Sequence, residues 1–100
     1  MELLTDELRE ILPPLYSQDG EKDPVIYAKF FTPDSNWTWY VTEGSEEDGE
    51  FRFFGYVIGF EKEWGYFLLS ELQEARGPWG LSIERDLYFK ARPLSEALRV

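Results

Sequence analysis

The run Glu84-Arg85-Asp86 places two carboxylates and a guanidinium within three consecutive residues. In an extended chain Glu84 and Asp86 point to one face and Arg85 to the other. Two carboxylates on one face can divide the roles of acid and base, or hold Mg²⁺. The plainer reading is that they pair across a sheet with Lys29, Arg52 or Lys90 and cap nearby loops. The plainer reading is favoured, because acid–base work needs a pocket and a perturbed pKa, which a sequence does not display. A second polar constellation is Asp34-Ser35-Asn36, next to Trp37 and Trp39. It can serve as a binding turn, since aromatic residues beside polar turns recur at interfaces. It can also be turn chemistry alone, with side chains bonded to nearby backbone. The four tryptophans, Trp37, Trp39, Trp64 and Trp79, could form a stacking platform for bases. Such platforms sit in basic grooves and this chain is acidic, so core packing is the preferred role.

Composition removes other chemistries. The 100 residues include no cysteine and no histidine. Disulfides, thiol nucleophiles and cysteine-ligated metals are excluded, and the commonest general base and metal ligand is missing. There is no phosphate-binding glycine loop, no Gly-x-Ser-x-Gly elbow and no zinc signature. The acidic run Glu43, Glu46, Glu47, Asp48 and Glu50 lacks the spacing of an EF-hand, so it reads as a solvated loop. No cofactor is expected. The formal net charge of −10 disfavours direct nucleic-acid binding. Such a charge is most often a solubility device. It also suits a protein that meets a basic surface, including one that normally holds DNA. The first residues carry no basic segment followed by a long apolar run, and no stretch is long enough to span a membrane. A cytoplasmic protein is expected.

The length suits one domain with a modest core, which the aromatic content makes aromatic rather than aliphatic. Thr5 is a candidate N-cap, with Asp6 and Glu7 in the first turn of a helix. Leu4, Leu8, Ile11 and Leu12 recur at helical spacing until Pro13 and Pro14 end it. Ser17 to Asp23 is a loop. Val25 to Phe31 reads as a strand, with Ile26, Ala28 and Phe30 on the core face. Pro33 to Asn36 turn the chain into a second strand, Asn36 to Thr42. There Trp37, Trp39 and Val41 share one face, and Thr38 and Tyr40 the other. Glu43 to Glu50 is expected to be a mobile connection bracketed by Gly44 and Gly49. Phe51 to Phe60 and Trp64 to Leu69 are further strands. Ser70-Glu71-Leu72-Gln73 has the form of a capping box with Ser70 as N-cap. Gly77 and Pro78 stop that helix, and Trp79 to Ile83 is an irregular connector. Glu84 to Lys90 alternates as a strand, and Ser95 to Arg99 forms a last short helix.

Phe31-Thr32-Pro33, then Asn36-Trp37-Thr38-Trp39-Tyr40, then Phe54-Gly55 resemble the pattern of the DUF2958 family, small bacterial proteins of unknown function. The pattern continues in order through Gly65-Tyr66-Phe67-Leu68-Leu69-Ser70-Glu71-Leu72 and Gly80-Leu81-Ser82-Ile83-Glu84-Arg85-Asp86-Leu87-Tyr88-Phe89. The last segment is its most specific part, and the resemblance covers nearly the whole chain. It implies a bacterial protein, often carried on plasmids and other mobile elements, sometimes near anti-restriction or DNA-transfer functions. It implies no catalytic residues.

The expected architecture is a single α+β domain. A mainly antiparallel sheet of about five strands is flanked by an N-terminal helix and a second short helix. The expected function is non-enzymatic: a small interaction or regulatory module that binds a macromolecular partner, most naturally a protein. Asp34, Asn36, Trp79, Glu84, Arg85 and Asp86 are its candidate binding residues. An acidic mimic of DNA that blocks a DNA-binding enzyme is the alternative, and a carboxylate-dependent metal enzyme is third. The oligomeric state and the identity of the partner are left open.

Overall fold

In the computed structural model of this chain, which describes residues 1–99, Thr5 starts the first helix. Its hydroxyl oxygen accepts the Leu8 N–H at 3.1 Å and satisfies one donor that a helix start leaves open. This helix, α1 (Asp6–Ile11), buries Leu8, while Leu3, Leu4 and Leu12 pack beside it. Ile11 shares the helical spacing but lies on the outer side and is exposed. The chain continues through β1 (Val25–Ile26), β2 (Ala28–Phe31), β3 (Thr38–Glu47), β4 (Glu50–Ile58) and β5 (Lys62–Leu68). Next come α2 (Leu69–Glu74), β6 (Glu84–Arg85), β7 (Arg92–Pro93) and α3 (Leu94–Ala97). Five strands form one antiparallel sheet in the order β5-β4-β3-β2-β6, and β1 pairs separately with β7. The fold is therefore α+β. Among the described residues, no helix is long and apolar enough to cross a membrane.

The core lies mainly on one face of the sheet and is aromatic. Phe53 is its hub, with ring centroids 5.6 Å from Phe30, 5.0 Å from Phe51 and 5.5 Å from Phe67. Such spacings suit offset or edge-on ring contacts. Leu8 of α1 with the flanking Leu3, Leu4 and Leu12, Leu72 of α2 and Ile83 cover this face. Val41 and Trp39 point into it as their alternation requires. A smaller cluster of Ile26, Tyr40 and Ala97, flanked by Tyr56, Ile58 and Leu94, sits on the other face beneath α3.

The expected strand Val25 to Phe31 is interrupted at Tyr27. Its N–H still reaches the Val41 carbonyl at 2.8 Å, but β1 leaves the sheet to pair with β7. Ile26 therefore packs with Tyr40, whereas Ala28 and Phe30 enter the main core.

Glu43 to Glu50 is not a mobile loop. It closes a hairpin in which β3 and β4 pair through Glu47 and Glu50. Asp48 and Gly49 form a two-residue turn with φ of 51° and 82°. Two positive φ values match the twist of the flanking strands, and Asp-Gly supplies them at low cost. The register of β3 shifts between Val41 and Glu43. The bulged Thr42 donates its hydroxyl to the Phe54 carbonyl at 3.0 Å. The extra residue puts Glu43 opposite Phe54, away from the phenylalanine core. There Glu43 is buried under the segment 15–18, accepting the Tyr16 and Gln18 N–H groups, each at 2.8 Å.

Three C-terminal elements also differ from expectation. α2 begins one residue before Ser70, and the Glu71 carboxylate reaches back to accept the Leu68 N–H at 2.7 Å. Ser70 instead donates its hydroxyl to Glu50 at 2.6 Å. The strand at Glu84 ends at Arg85, because Asp86 folds into a turn: its side chain accepts the Tyr88 N–H and its carbonyl accepts the Phe89 N–H. α3 begins at Leu94, since Asp23 accepts both the N–H and the hydroxyl of Ser95 from across the chain.

Candidate binding site

The β2–β3 turn, Thr32 to Trp37, is tied by the Thr32 N–H, which donates to the Trp37 carbonyl at 3.1 Å. The Trp37 N–H donates to the Thr32 hydroxyl at 3.0 Å. One side of this turn and the outer side of β6 enclose an open groove of about 580 Å³. Asn36, Glu84, Arg85 and Asp86 line it, together with Lys29, Phe31, Trp37 and Tyr88. Four of the six residues singled out from the sequence thus meet in one groove. Its charges are mixed. Lys29 Nζ lies 4.0 Å from Asp86 Oδ2 and 5.8 Å from the Tyr40 ring centre. Burial raises the Tyr40 phenol above its ordinary pKa. Arg85 and Glu84 form no ion pair among the described residues, and Arg85 Nε is buried without a hydrogen-bond partner.

Asp86 is already engaged by the Tyr88 N–H and by Lys29, which leaves Glu84 as the freer carboxylate of the pair. Among the described residues no group of three or more carboxylates is placed to hold a metal ion.

The other two candidates, Asp34 and Trp79, meet each other beside the groove. Asp34 Oδ2 accepts the Trp79 N–H at 2.9 Å and the Leu81 N–H at 3.3 Å. The connector expected to be irregular is a small hairpin: Arg76 bridges Ser82, and the Gly80 N–H donates to the Gly77 carbonyl. Gly77 is needed for close approach, because a Cβ there would sit inside the Asp34 carboxylate.

Trp79 is 86% exposed, Tyr88 92% and Phe60 94%. The expected core role therefore fails for Trp79, whose turn leaves no element to cover it. It fails for Trp64 too, which stands on the outer face of an edge strand and is 42% exposed. Trp37 and Trp39 are half-buried and stack at 5.8 Å. Phe60 sits at the tip of the β4–β5 turn, closed by the Gly59 N–H to the Glu61 carbonyl at 2.9 Å, and its ring meets Trp37 edge-on at 5.4 Å. Three exposed aromatic rings thus stand on three tight turns around the β2–β3 turn. Sequence reading missed Lys29, Trp37, Phe60 and Tyr88 as site residues. Lys29 and Phe31 were legible as the face of β2 opposite Ala28 and Phe30, and Gly59 before Phe60 as a turn signal.

No curated protein and no solved structure matches the chain. A match to a protein family, described as a protein of unknown function, runs over residues 3–100. With nearly its whole length matched, the chain belongs to the DUF2958 family.

Proposed function

We propose that this chain is a binding module that acts on a protein partner by contact rather than by catalysis, through the end of the sheet around the β2–β3 turn. The observation that carries this reading is the exposure of Phe60, Trp79 and Tyr88 on turns closed by backbone hydrogen bonds. The backbone that carries each ring is fixed before binding, and large aromatic rings dominate the energy of protein interfaces. The adjoining groove supplies polar complements in Asn36, Arg85 and Glu84, the last two without an ion pair among the described residues.

The alternative, a mimic of DNA, rests on the acidic excess, and the engagement of the most acidic segment weighs against it. Glu43 is buried, Glu46 pairs with Arg9, Glu47 with Arg52, and Glu50 accepts the Ser70 hydroxyl. A row of free carboxylates spaced like phosphates is not available there.

Capture of the partner from the native host, with the wild type and the triple variant Phe60→Ala, Trp79→Ala, Tyr88→Ala compared side by side, tests the reading. A partner held by the wild type and lost by the variant supports it, provided affinity changes little between low and high salt. Capture unchanged by the triple substitution refutes it. Steep loss with salt together with competition by DNA would favour the mimic, because screening shortens from about 10 Å at 0.1 M to about 3 Å at 1 M.

A further inference from the structure

The sheet ends at β5, and no described strand pairs with the side of β5 that faces away from β4. The Leu68 N–H marks the groups on that side, since Glu71 rather than β4 receives it. Alternate residues of an antiparallel strand direct their N–H and C=O groups to opposite sides. Lys62, Trp64 and Tyr66 share the parity of Leu68, so their backbone groups face the open edge. β5 runs for seven residues without proline, and its register with β4 is continuous. Apart from the charges of Lys62 and Glu63 it lacks the devices that usually blunt an edge.

The outer face of the same strand is an aromatic ladder. Trp64 stacks on Phe54 at 5.7 Å and meets Tyr56 at 5.1 Å. Tyr66 meets Phe54 at 4.8 Å and Tyr16 at 6.3 Å. The Arg52 guanidinium already lies over the Tyr66 ring at 5.9 Å, whereas among the described residues no cation lies over Trp64. Between Trp64, Phe54 and the segment 18–24 is a cavity of about 250 Å³. Asp19, Glu21 and the buried Glu43 line it against a single cation, Lys22. Desolvation, then Tyr16, and last Asp19 and Glu43 hold the Tyr66 phenol above its ordinary pKa. Glu61 and Glu63 flank Lys62 where the strand begins, and both are exposed.

We propose that the open edge of β5 takes an extended basic segment of a protein partner as an added strand, with a lysine or arginine of that segment seated on Trp64. Backbone pairing supplies the attachment, and the ring face with its carboxylate surroundings selects the charge. A second copy of this chain is the poorer occupant, because each copy carries a net charge of −10 and brings the same carboxylates to the same place. The groove beside β6 lies at the opposite edge of the sheet, so this contact does not depend on it.

The test uses the full chain, isotope-labelled for amide NMR, and a short synthetic peptide in which lysine alternates with threonine and valine. Two further versions are N-methylated, one at the lysines and one at the threonines and valines, and a fourth carries glutamate for lysine. Strand addition turns only one alternate set of peptide N–H groups toward β5. The expected result is shifts and slowed exchange centred on the Trp64 and Tyr66 amides. One N-methylated version should weaken by roughly tenfold or more while the other holds, through loss of the paired donors. The glutamate peptide should not bind. Equal binding by both N-methylated versions would reveal adhesion by charge alone and overturn the proposal. Shifts confined to Asn36, Arg85 and their groove neighbours, or no binding, would overturn it too. Neither result would bear on the aromatic turns, whose alanine variants are tested with a different partner assay.

Discussion

The Asp34 carboxylate accepts the backbone N–H of Trp79 at 2.9 Å, joining two turns 45 residues apart in sequence. The bond goes to the backbone and leaves the indole free. The position of the exposed ring is thereby set by a charge-assisted bond at its own residue, while the ring itself is available to a partner. The second Asp34 oxygen is buried against Gly77 with no hydrogen-bond partner, so the fit there is steric.

Gly77→Ala should destabilise the chain by about 1–3 kcal/mol, the usual cost of forcing an extra methyl into a filled space. Asp34→Ala removes the obstacle but leaves the Trp79 and Leu81 donors without their acceptor. The double variant should therefore cost less than the two single costs added together. Urea unfolding of the three variants measures this, and strict additivity would show that the two sites do not collide.

Glu43 gathers two backbone donors inside the protein, and its removal should be among the most damaging changes to a charged residue. Glu43→Ala is expected to cost about 2–4 kcal/mol, since the Tyr16 and Gln18 N–H groups lose their partner in a buried place. Tyr16 also has a positive φ of 74°, which a side chain adopts only under constraint. Glu43→Gln, which keeps one acceptor oxygen, should cost less. Thermal unfolding, with amide exchange at Tyr16 and Gln18, reads both effects. Unchanged exchange in Glu43→Ala would mean that the segment is held by other contacts.

The aromatic residues should divide into two classes by stability. Phe60→Ala, Trp79→Ala and Tyr88→Ala are each expected to change the unfolding free energy by no more than about 0.5 kcal/mol, as exposed positions do. Trp39→Ala, which removes a ring packed on the core, should cost about 2–4 kcal/mol. Chemical denaturation of the four variants settles the division. A large loss in Tyr88→Ala would recast that ring as structural.

The C-terminal helix should loosen in acid. The side-chain hydrogen bond from Ser95, and then the one from its backbone N–H, hold the Asp23 carboxyl below its ordinary pKa. A depressed pKa means that the folded state prefers the ionised form. The associated stability is complete above the unfolded aspartate value and fades as pH falls through the folded one. Ser95→Ala should move the Asp23 titration back up, and NMR of that carboxyl follows it. A titration unaltered by Ser95→Ala would mean that the Ser95 hydroxyl does not set it.

What the sequence made legible were features encoded within a few residues. The Thr5 cap, the proline stop after α1, the Pro33 to Asn36 turn and the alternation of Trp37, Trp39 and Val41 all have local causes, and all stand in the structure. The Asp48-Gly49 turn was equally local, but five acids around it suggested solvent rather than a hairpin. The cap of α2 was displaced because Glu71, three residues after Leu68, reaches back to that N–H, and Ser70 found Glu50 on a neighbouring strand. The pairing of Asp34 with the Gly77–Leu81 turn, and of Asp23 with Ser95, depends on which segments the fold brings together. No window of sequence contains both partners. For the site, residue types were readable, but exposure was not: Trp39 in a strand and Trp79 in a turn were both read as core, and only the fold shows what covers each.

The bulge at Thr42 makes β3 a strand of two phases. Up to Val41 the odd-numbered positions face the core; beyond it Glu43 faces outward and Gly44 lies inward against Phe51 and Leu12. A β3 paired straight through Thr42, with no bulge, would keep every letter while inverting the sidedness of each residue downstream. Glu43 would be thrust among phenylalanines, and Gly44 would come out from under the core. Loss of Thr42 itself would leave the other side chains of β3 on their present faces, whereas loss of a neighbour with the bulge kept would turn part of the strand over.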